Sequence, residues 1–179
     1  MAEAFINQVN RAVGIVTSSS NASIGIGLTW MSGISTAHVA IHDIVDNANF
    51  IAGTKVTLVG VSSVQLDRAS TNTVAATASN VSFLGPTTSY SSASATKSIL
   101  IGGTFANNTA NSVNLTVTVY DNTAAVESQL ASKIPVPTGS SFVISDAGKT
   151  VLEGNDEVRV YCDVENAIDV NLSILKGVS

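Results

Sequence analysis

The feature that most constrains this chain is a two-residue hydrophobic repeat sustained over three runs. Val113, Leu115, Val117 and Val119 alternate with Asn114, Thr116 and Thr118. Val158, Val160, Cys162 and Val164 alternate with Arg159, Tyr161 and Asp163. Ile168, Val170, Leu172 and Ile174 alternate with Asp169, Asn171 and Ser173. Successive side chains of an extended chain point to opposite faces, so each run reads as a strand with its apolar side inward and its polar side outward. A slip of one residue would turn every apolar side chain to solvent, so the register is well specified.

Shorter runs extend the pattern. Ile24, Ile26, Leu28 and Trp30 alternate with Gly25, Gly27 and Thr29. Val56 and Leu58, Val64 and Leu66, Val81 and Phe83, and Phe142 and Ile144 each suit a short strand, and Ile99 and Ile101 open another that ends near Phe105. Turn-forming residues lie between them: Ala52-Gly53-Thr54, Asn107-Asn108, Pro137-Thr138-Gly139, Asp146-Ala147-Gly148 and Glu153-Gly154-Asn155. Helix is expected only in the first dozen residues, with Ala4, Phe5 and Val9 on one face. Residues 124–133 read as a strand or irregular edge leading into Ile134, because Pro135 and Pro137 cannot sit in mid-sheet.

A boundary is expected at Gly85-Pro86. The Ser/Thr/Ala tract that follows, residues 87–96, reads as a linker or a weakly paired edge strand. The spacing predicts an all-β chain: an antiparallel β-sandwich, Ig-like or jelly-roll-like, over residues 86–179, and a smaller, anchoring β module over residues 1–85.

Composition narrows the function. Charged residues make up 12% of the 179 positions, against about 25% in an average soluble domain. Ser, Thr, Asn, Ala and Gly take their place, a neutral, short-chained surface suited to packing against neighbours. The net charge of −5, with no Lys/Arg run, disfavours nucleic acid as a partner. No apolar run approaches the roughly 18 residues of a membrane span, and the first residues lack the basic-then-apolar pattern of a secretory signal. Synthesis in a cytoplasm is expected. One cysteine, Cys162, rules out a disulfide within the chain.

The candidates for chemistry are few. His38 and His42, with Asp43 and Asp46, suggest a metal site only if the segment is helical; on a strand the two imidazoles would stand about 13 Å apart. Ordinary surface histidines at a strand end and turn are the expectation. Cys162 lies on the inward side of its strand and reads as a buried, inert thiol. Glu153, Asn155, Asp156 and Glu157 crowd one turn, which reads as a solvated hairpin tip rather than a calcium loop. The aromatic residues Trp30, Phe50, Phe83, Tyr90, Phe105, Tyr120, Phe142 and Tyr161 are scattered, as core residues are. No phosphate-binding glycine loop or nucleophile elbow occurs, and no nucleophile, base and orienting group can be nominated together. No catalytic, cofactor-binding or metal-binding residues are assigned.

Several segments carry a further pattern. Ile134-Pro-Val-Pro-Thr-Gly-Ser-Ser-Phe-Val-Ile-Ser leads to Gly148-Lys-Thr-Val-Leu-Glu-Gly-Asn-Asp156 and then to Ile168-Asp-Val-Asn-Leu-Ser-Ile-Leu. Upstream stand Ala95-Thr-Lys-Ser-Ile-Leu-Ile-Gly-Gly-Thr-Phe-Ala-Asn-Asn-Thr, His42-Asp-Ile-Val-Asp-Asn-Ala-Asn-Phe-Ile-Ala-Gly-Thr-Lys-Val and Val64-Gln-Leu-Asp-Arg. Together these resemble β-modules of structural proteins from tailed bacteriophages, those of cyanobacterial phages in particular. The resemblance implies a non-enzymatic virion protein, assembled in the host cytoplasm, that decorates the capsid or forms part of the neck, collar or tail. Its implied partners are other virion proteins and copies of itself in three-, five- or six-fold arrays, with no nucleic acid, membrane, small molecule or cofactor. The alternative is a receptor- or glycan-binding tail module.

Overall fold

A computed structural model describes residues 3–19, 21–73, 80–145 and 149–178. The strands run β1 (Ala4–Val13), β2 (Ile15–Ser19), β3 (Trp30–Ser32), β4 (Ile44–Asp46), β5 (Val56–Val59), β6 (Ser63–Leu66), β7 (Val81–Gly85) and β8 (Thr87–Ser91). They continue with β9 (Lys97–Asn107), β10 (Val113–Asp121), β11 (Val126–Val136), β12 (Ser141–Ile144), β13 (Thr150–Leu152), β14 (Glu157–Cys162) and β15 (Ile168–Val178). The fold is all-β, with no helix among the described residues, and neighbouring strands pair antiparallel. The chain divides into two compact units, one of Ile15–Pro86 and one of Met1–Gly14 together with Thr87–Ser179.

The larger unit is a two-sheet sandwich. One sheet has the order β1-β15-β9-β12, with β13 also on β9, and the other the order β11-β10-β14-β8. The three long alternating runs are β10, β14 and β15, and their inward residues meet in one core. Leu100, Phe105, Leu172 and Ile174 come from the first sheet, and Leu115, Val117, Val158, Val160 and Cys162 from the second. Burying each large aliphatic or aromatic side chain contributes about 1.5–3 kcal/mol, most of it offset by the conformational entropy lost on folding. The smaller unit holds two three-stranded sheets, β2-β7-β4 and β3-β6-β5. Its core includes Met31, Val45, Phe50, Val56, Val64, Val81 and Phe83.

The structure departs from the sequence reading in three places. The first dozen residues are a strand, not a helix: β1 pairs with β15 from Ala4↔Lys176 to Asn10↔Val170. That segment therefore belongs to the larger unit rather than to a module over residues 1–85. Its apolar side chains mislead because Phe5 and Val9 face outward while Gln8 and Asn10 lie half-buried. Secondly, Ile24 to Trp30 is largely loop. Gly27 takes a left-handed φ of 74°, and in place of a regular ladder the segment is held by the Ser70 Oγ bond to the Gly25 carbonyl at 2.6 Å and by backbone bonds from the Gly27 N–H to the Ser70 carbonyl and from the Ser70 N–H to the Leu28 carbonyl.

Thirdly, β14 is buried on both faces: Arg159 and Tyr161 are covered as well as Val158 and Val160. Of the two readings of the Ser/Thr tract, the edge strand holds for its first part, β8, which pairs with β14. Pro135 lies in β11, which ends its sheet, where a missing N–H is tolerated. The turn expected at Asp146-Ala147-Gly148 lies outside the described residues.

Candidate functional site

The histidine pair resolves into backbone geometry. Two consecutive turns close through Val39 N–H to the Thr36 carbonyl at 3.2 Å and Asp43 N–H to the Ala40 carbonyl at 3.3 Å. His38 and His42 hold the third position of each, with φ of 67° and 78°. Histidine is one of the few non-glycine residues enriched in this left-handed region, which accounts for the four-residue spacing without a metal. The pair is therefore in turns, neither helix nor strand. Asp43 is buried, its Oδ2 accepting the Ala40 N–H at 2.9 Å. Burial pushes its pKa above the usual carboxylate value, and the Ala40 bond opposes that in part. Asp46 stands at the end of β4. Among the described residues, no three His, Cys, Asp or Glu side chains gather in a way that could hold a metal ion.

Cys162 is fully buried in the sandwich core, where desolvation raises the pKa of its thiol. The acidic turn is less solvated than its composition suggests. Asp156 is buried, its Oδ2 accepting the Glu153 N–H at 2.8 Å and its Oδ1 the Asn122 N–H at 3.0 Å. It ties the turn after β13 to the turn after β10. Glu153 instead pairs with Lys97 at 3.0 Å on the surface. Of the aromatic residues singled out, Phe83, Phe105 and Tyr161 are fully buried, whereas Trp30 remains 48% exposed.

A cluster that sequence reading missed lies on the second face of β14. Glu127 of β11 reaches across β10, where its carboxylate accepts the hydroxyls of Thr118 and Tyr161. Arg159 sits between two carboxylates, its Nε donating to Glu157 at 2.7 Å and its Nη1 to Glu127 at 3.5 Å. Its guanidinium carbon lies 3.9 Å from the centre of the Tyr120 ring. Burial works against the Arg159 charge, but the hydrogen bond and charge of Glu157, with Glu127 beside it, outweigh that and raise its pKa. Burial first, and then the Glu127 charge, push the Tyr161 phenol far above its usual value. The groups satisfy one another, and the arrangement acts as a polar rivet across three strands.

The larger unit exposes the outward face of its five-stranded sheet. Phe5 faces Leu175, Leu175 faces Ile99, and Ile99 faces Val151. These four side chains form an apolar row across β1, β15, β9 and β13. Phe5 is 77% exposed and Val151 53%, with Leu175 and Ile99 half-buried between them. Beside the row a shallow depression of about 350 Å³ is lined by Phe5, Ile6, Asn7, Ile101, Ser173 and Ile174. A second row, Val9–Asn171–Thr104–Val143, follows in register. No position in either row is charged.

The signal for this face is present in the sequence as apolar doublets, Phe5-Ile6, Ile174-Leu175, Ile99-Leu100 and Val151-Leu152. A half-buried strand needs only alternate apolar residues, so a doublet marks a level where both faces are apolar. In each doublet one side chain faces the core and the other faces outward. No known protein family, curated protein sequence or solved structure matches the chain.

Proposed function

We propose that this chain is a non-enzymatic structural subunit of a tailed-bacteriophage virion, decorating the capsid or forming part of the neck, collar or tail, and that it acts by docking on neighbouring protein surfaces. The two uncharged rows on the outward face of the five-stranded sheet carry this reading. Monomeric proteins rarely expose contiguous apolar patches larger than a few hundred Å², and a row of four apolar side chains crossing four strands suits a surface that a partner covers. Covering an exposed side chain such as Phe5 or Val151 contributes about 1.5–3 kcal/mol. The motif resemblance supplies the virion context, and the sparse surface charge suits an assembly subunit.

The test is co-purification with intact particles, scored by mass spectrometry, with Val151→Lys and Val143→Lys compared against the unaltered chain. The reading expects the protein in particles at fixed stoichiometry and a severalfold loss of incorporation for either variant. Absence from purified particles would overturn it.

A receptor- or glycan-binding tail module is the second reading, and Trp30 favours it. Trp30 and Leu58 both face Gln65 across the sheet β3-β6-β5, on its exposed side. An indole beside an amide is a combination that stacks on sugar rings. Glycan-array binding lost in Trp30→Ala would favour this reading over the first.

A further inference from the structure

Sheet edges in this protein differ in how well they are protected against pairing with another chain. Edge strands carry unpaired N–H and C=O groups and are normally blunted by proline, bulges, charge or shortness. In the larger unit β11 contains Pro135 and two register shifts against β10. β8 spans five residues and shifts register against β14. β12 and β13 span four and three residues. β1 has none of these defences over Ala4–Asn10. Those residues pair with β15 without interruption, contain no proline or charge, and have no strand on their other side among the described residues.

We propose that β1 is a homodimerisation edge, pairing antiparallel with β1 of a second copy about a two-fold axis at Asn7. A two-fold axis perpendicular to the sheet keeps outward residues outward, so an outward residue must face an outward residue. With Asn7 facing its own copy, the uncharged stretch overlaps in full and three further matches follow from the numbering alone. Phe5 faces Val9 of the second copy, bringing together the two large apolar side chains that the strand exposes, 77% and 60% open. Ile6 faces Gln8. Glu3, one residue before the strand, faces Arg11, so each end of the ribbon pairs opposite charges, and both residues are exposed. Moving the register by two residues in either direction breaks the Glu3–Arg11 match and shortens the overlap. For a chain of net charge −5, this edge offers a contact where opposite charges meet and like charges do not. The dimer joins two five-stranded sheets into one and makes the Phe5 row of each copy continuous with the Val9 row of the other. It does not depend on the virion role and would stand if the chain were absent from particles.

The test uses the full-length chain. Asn7→Cys places a thiol opposite its own copy, at the roughly 4.5–5.5 Å Cα separation of facing residues, which a disulfide spans. Mild oxidation is expected to give a covalent dimer for Asn7→Cys and none for Val9→Cys alone, while Phe5→Cys mixed with Val9→Cys gives the mixed dimer. The native Cys162 is fully buried and stays out of the reaction. In sedimentation, Glu3→Lys and Arg11→Glu are each expected to weaken the dimer about tenfold, with the double reversal restoring it. These positions are exposed, and circular dichroism confirms the fold of each variant. A chain that is monomeric with no Asn7→Cys cross-link would overturn the proposal. So would a dimer indifferent to charge reversal, or cross-linking at position 7 only to a different protein.

Discussion

The two units reach stability by different routes. The larger is built on long strands, β9, β11 and β15 of 11 residues, β1 of 10 and β10 of 9. The strands of the smaller run from three to five residues. There, side chains bonded to distant backbone do much of the joining. Asn47 Nδ2 donates to the Asn80 carbonyl at 2.9 Å, Thr71 Oγ1 to the Asn49 carbonyl at 2.8 Å, and Asp67 accepts the Lys55 N–H at 2.7 Å. Long ladders satisfy backbone groups in bulk and leave side chains free to make faces. Short strands spend polar side chains on the backbone, so their sequences alternate less clearly.

The largest effects should come from the two cores. Phe105→Ala in the larger unit and Phe83→Ala in the smaller each remove a fully buried ring, at a cost of about 3–5 kcal/mol. Denaturant unfolding of each variant should show separate transitions, one shifted by each substitution. If both variants move a single common transition equally, the units do not unfold independently and the contrast between them dissolves.

Next comes the polar rivet of the larger unit. Arg159→Ala leaves the Glu127 carboxylate, only 3% exposed, without its cation, at about 3–5 kcal/mol. The double variant Glu127→Gln/Arg159→Met should recover part of that loss, because it removes both buried charges while the amide oxygen still accepts the Thr118 and Tyr161 hydroxyls. Thermal unfolding of the single and double variants checks both. Equal losses in the two would show that the pair holds the fold through more than its charges.

A smaller effect belongs to the side-chain bonds of the smaller unit. Ser70→Ala removes the shorter of two hydrogen bonds to the Gly25 carbonyl, leaving the Leu28 N–H at 3.2 Å, and should cost about 1 kcal/mol, measured by chemical denaturation. No change would mean that the loop over residues 24–30 is held by its backbone bonds alone.

The finest distinction is a slope with pH. Asp43 has a raised pKa in the fold, so the folded state holds its proton over a range where the unfolded chain has lost it. Its contribution is most favourable below the ordinary carboxylate pKa and is lost as pH rises through the raised value. The stability of Asp43→Asn relative to the unaltered chain should therefore improve as pH rises through that window and level off above it. A difference that does not vary with pH would place the Asp43 charge in a better-solvated setting.

Legibility in the sequence followed the length of the strands. β10, β14 and β15 could be read residue by residue because burial on one face imposes an unbroken two-residue period. The segment Ile24–Trp30 alternates equally well, yet it is mainly loop, since glycines at alternate positions supply a period without a ladder. β1 was hidden for the opposite reason. Its inward residues lie at the rim of the sandwich and include Gln8 and Asn10, while its exposed side carries Phe5 and Val9, so the usual polarity is reversed. Arg159 and Tyr161 looked solvent-facing because nothing local to β14 announces that Glu127, thirty-two residues earlier, will meet them.

By itself the sequence determined what depends on neighbours along the chain: the all-β class, the inward sides of the long strands, most of the turns and the burial of Cys162. Tertiary structure decided everything that depends on pairing at a distance. It brought the first strand to the last, aligned four apolar doublets into one outward row, and left one edge without protection. The physical reason is that alternation states which side of a strand is apolar, whereas the partner of that strand is set by which distant segments can bury their surfaces together.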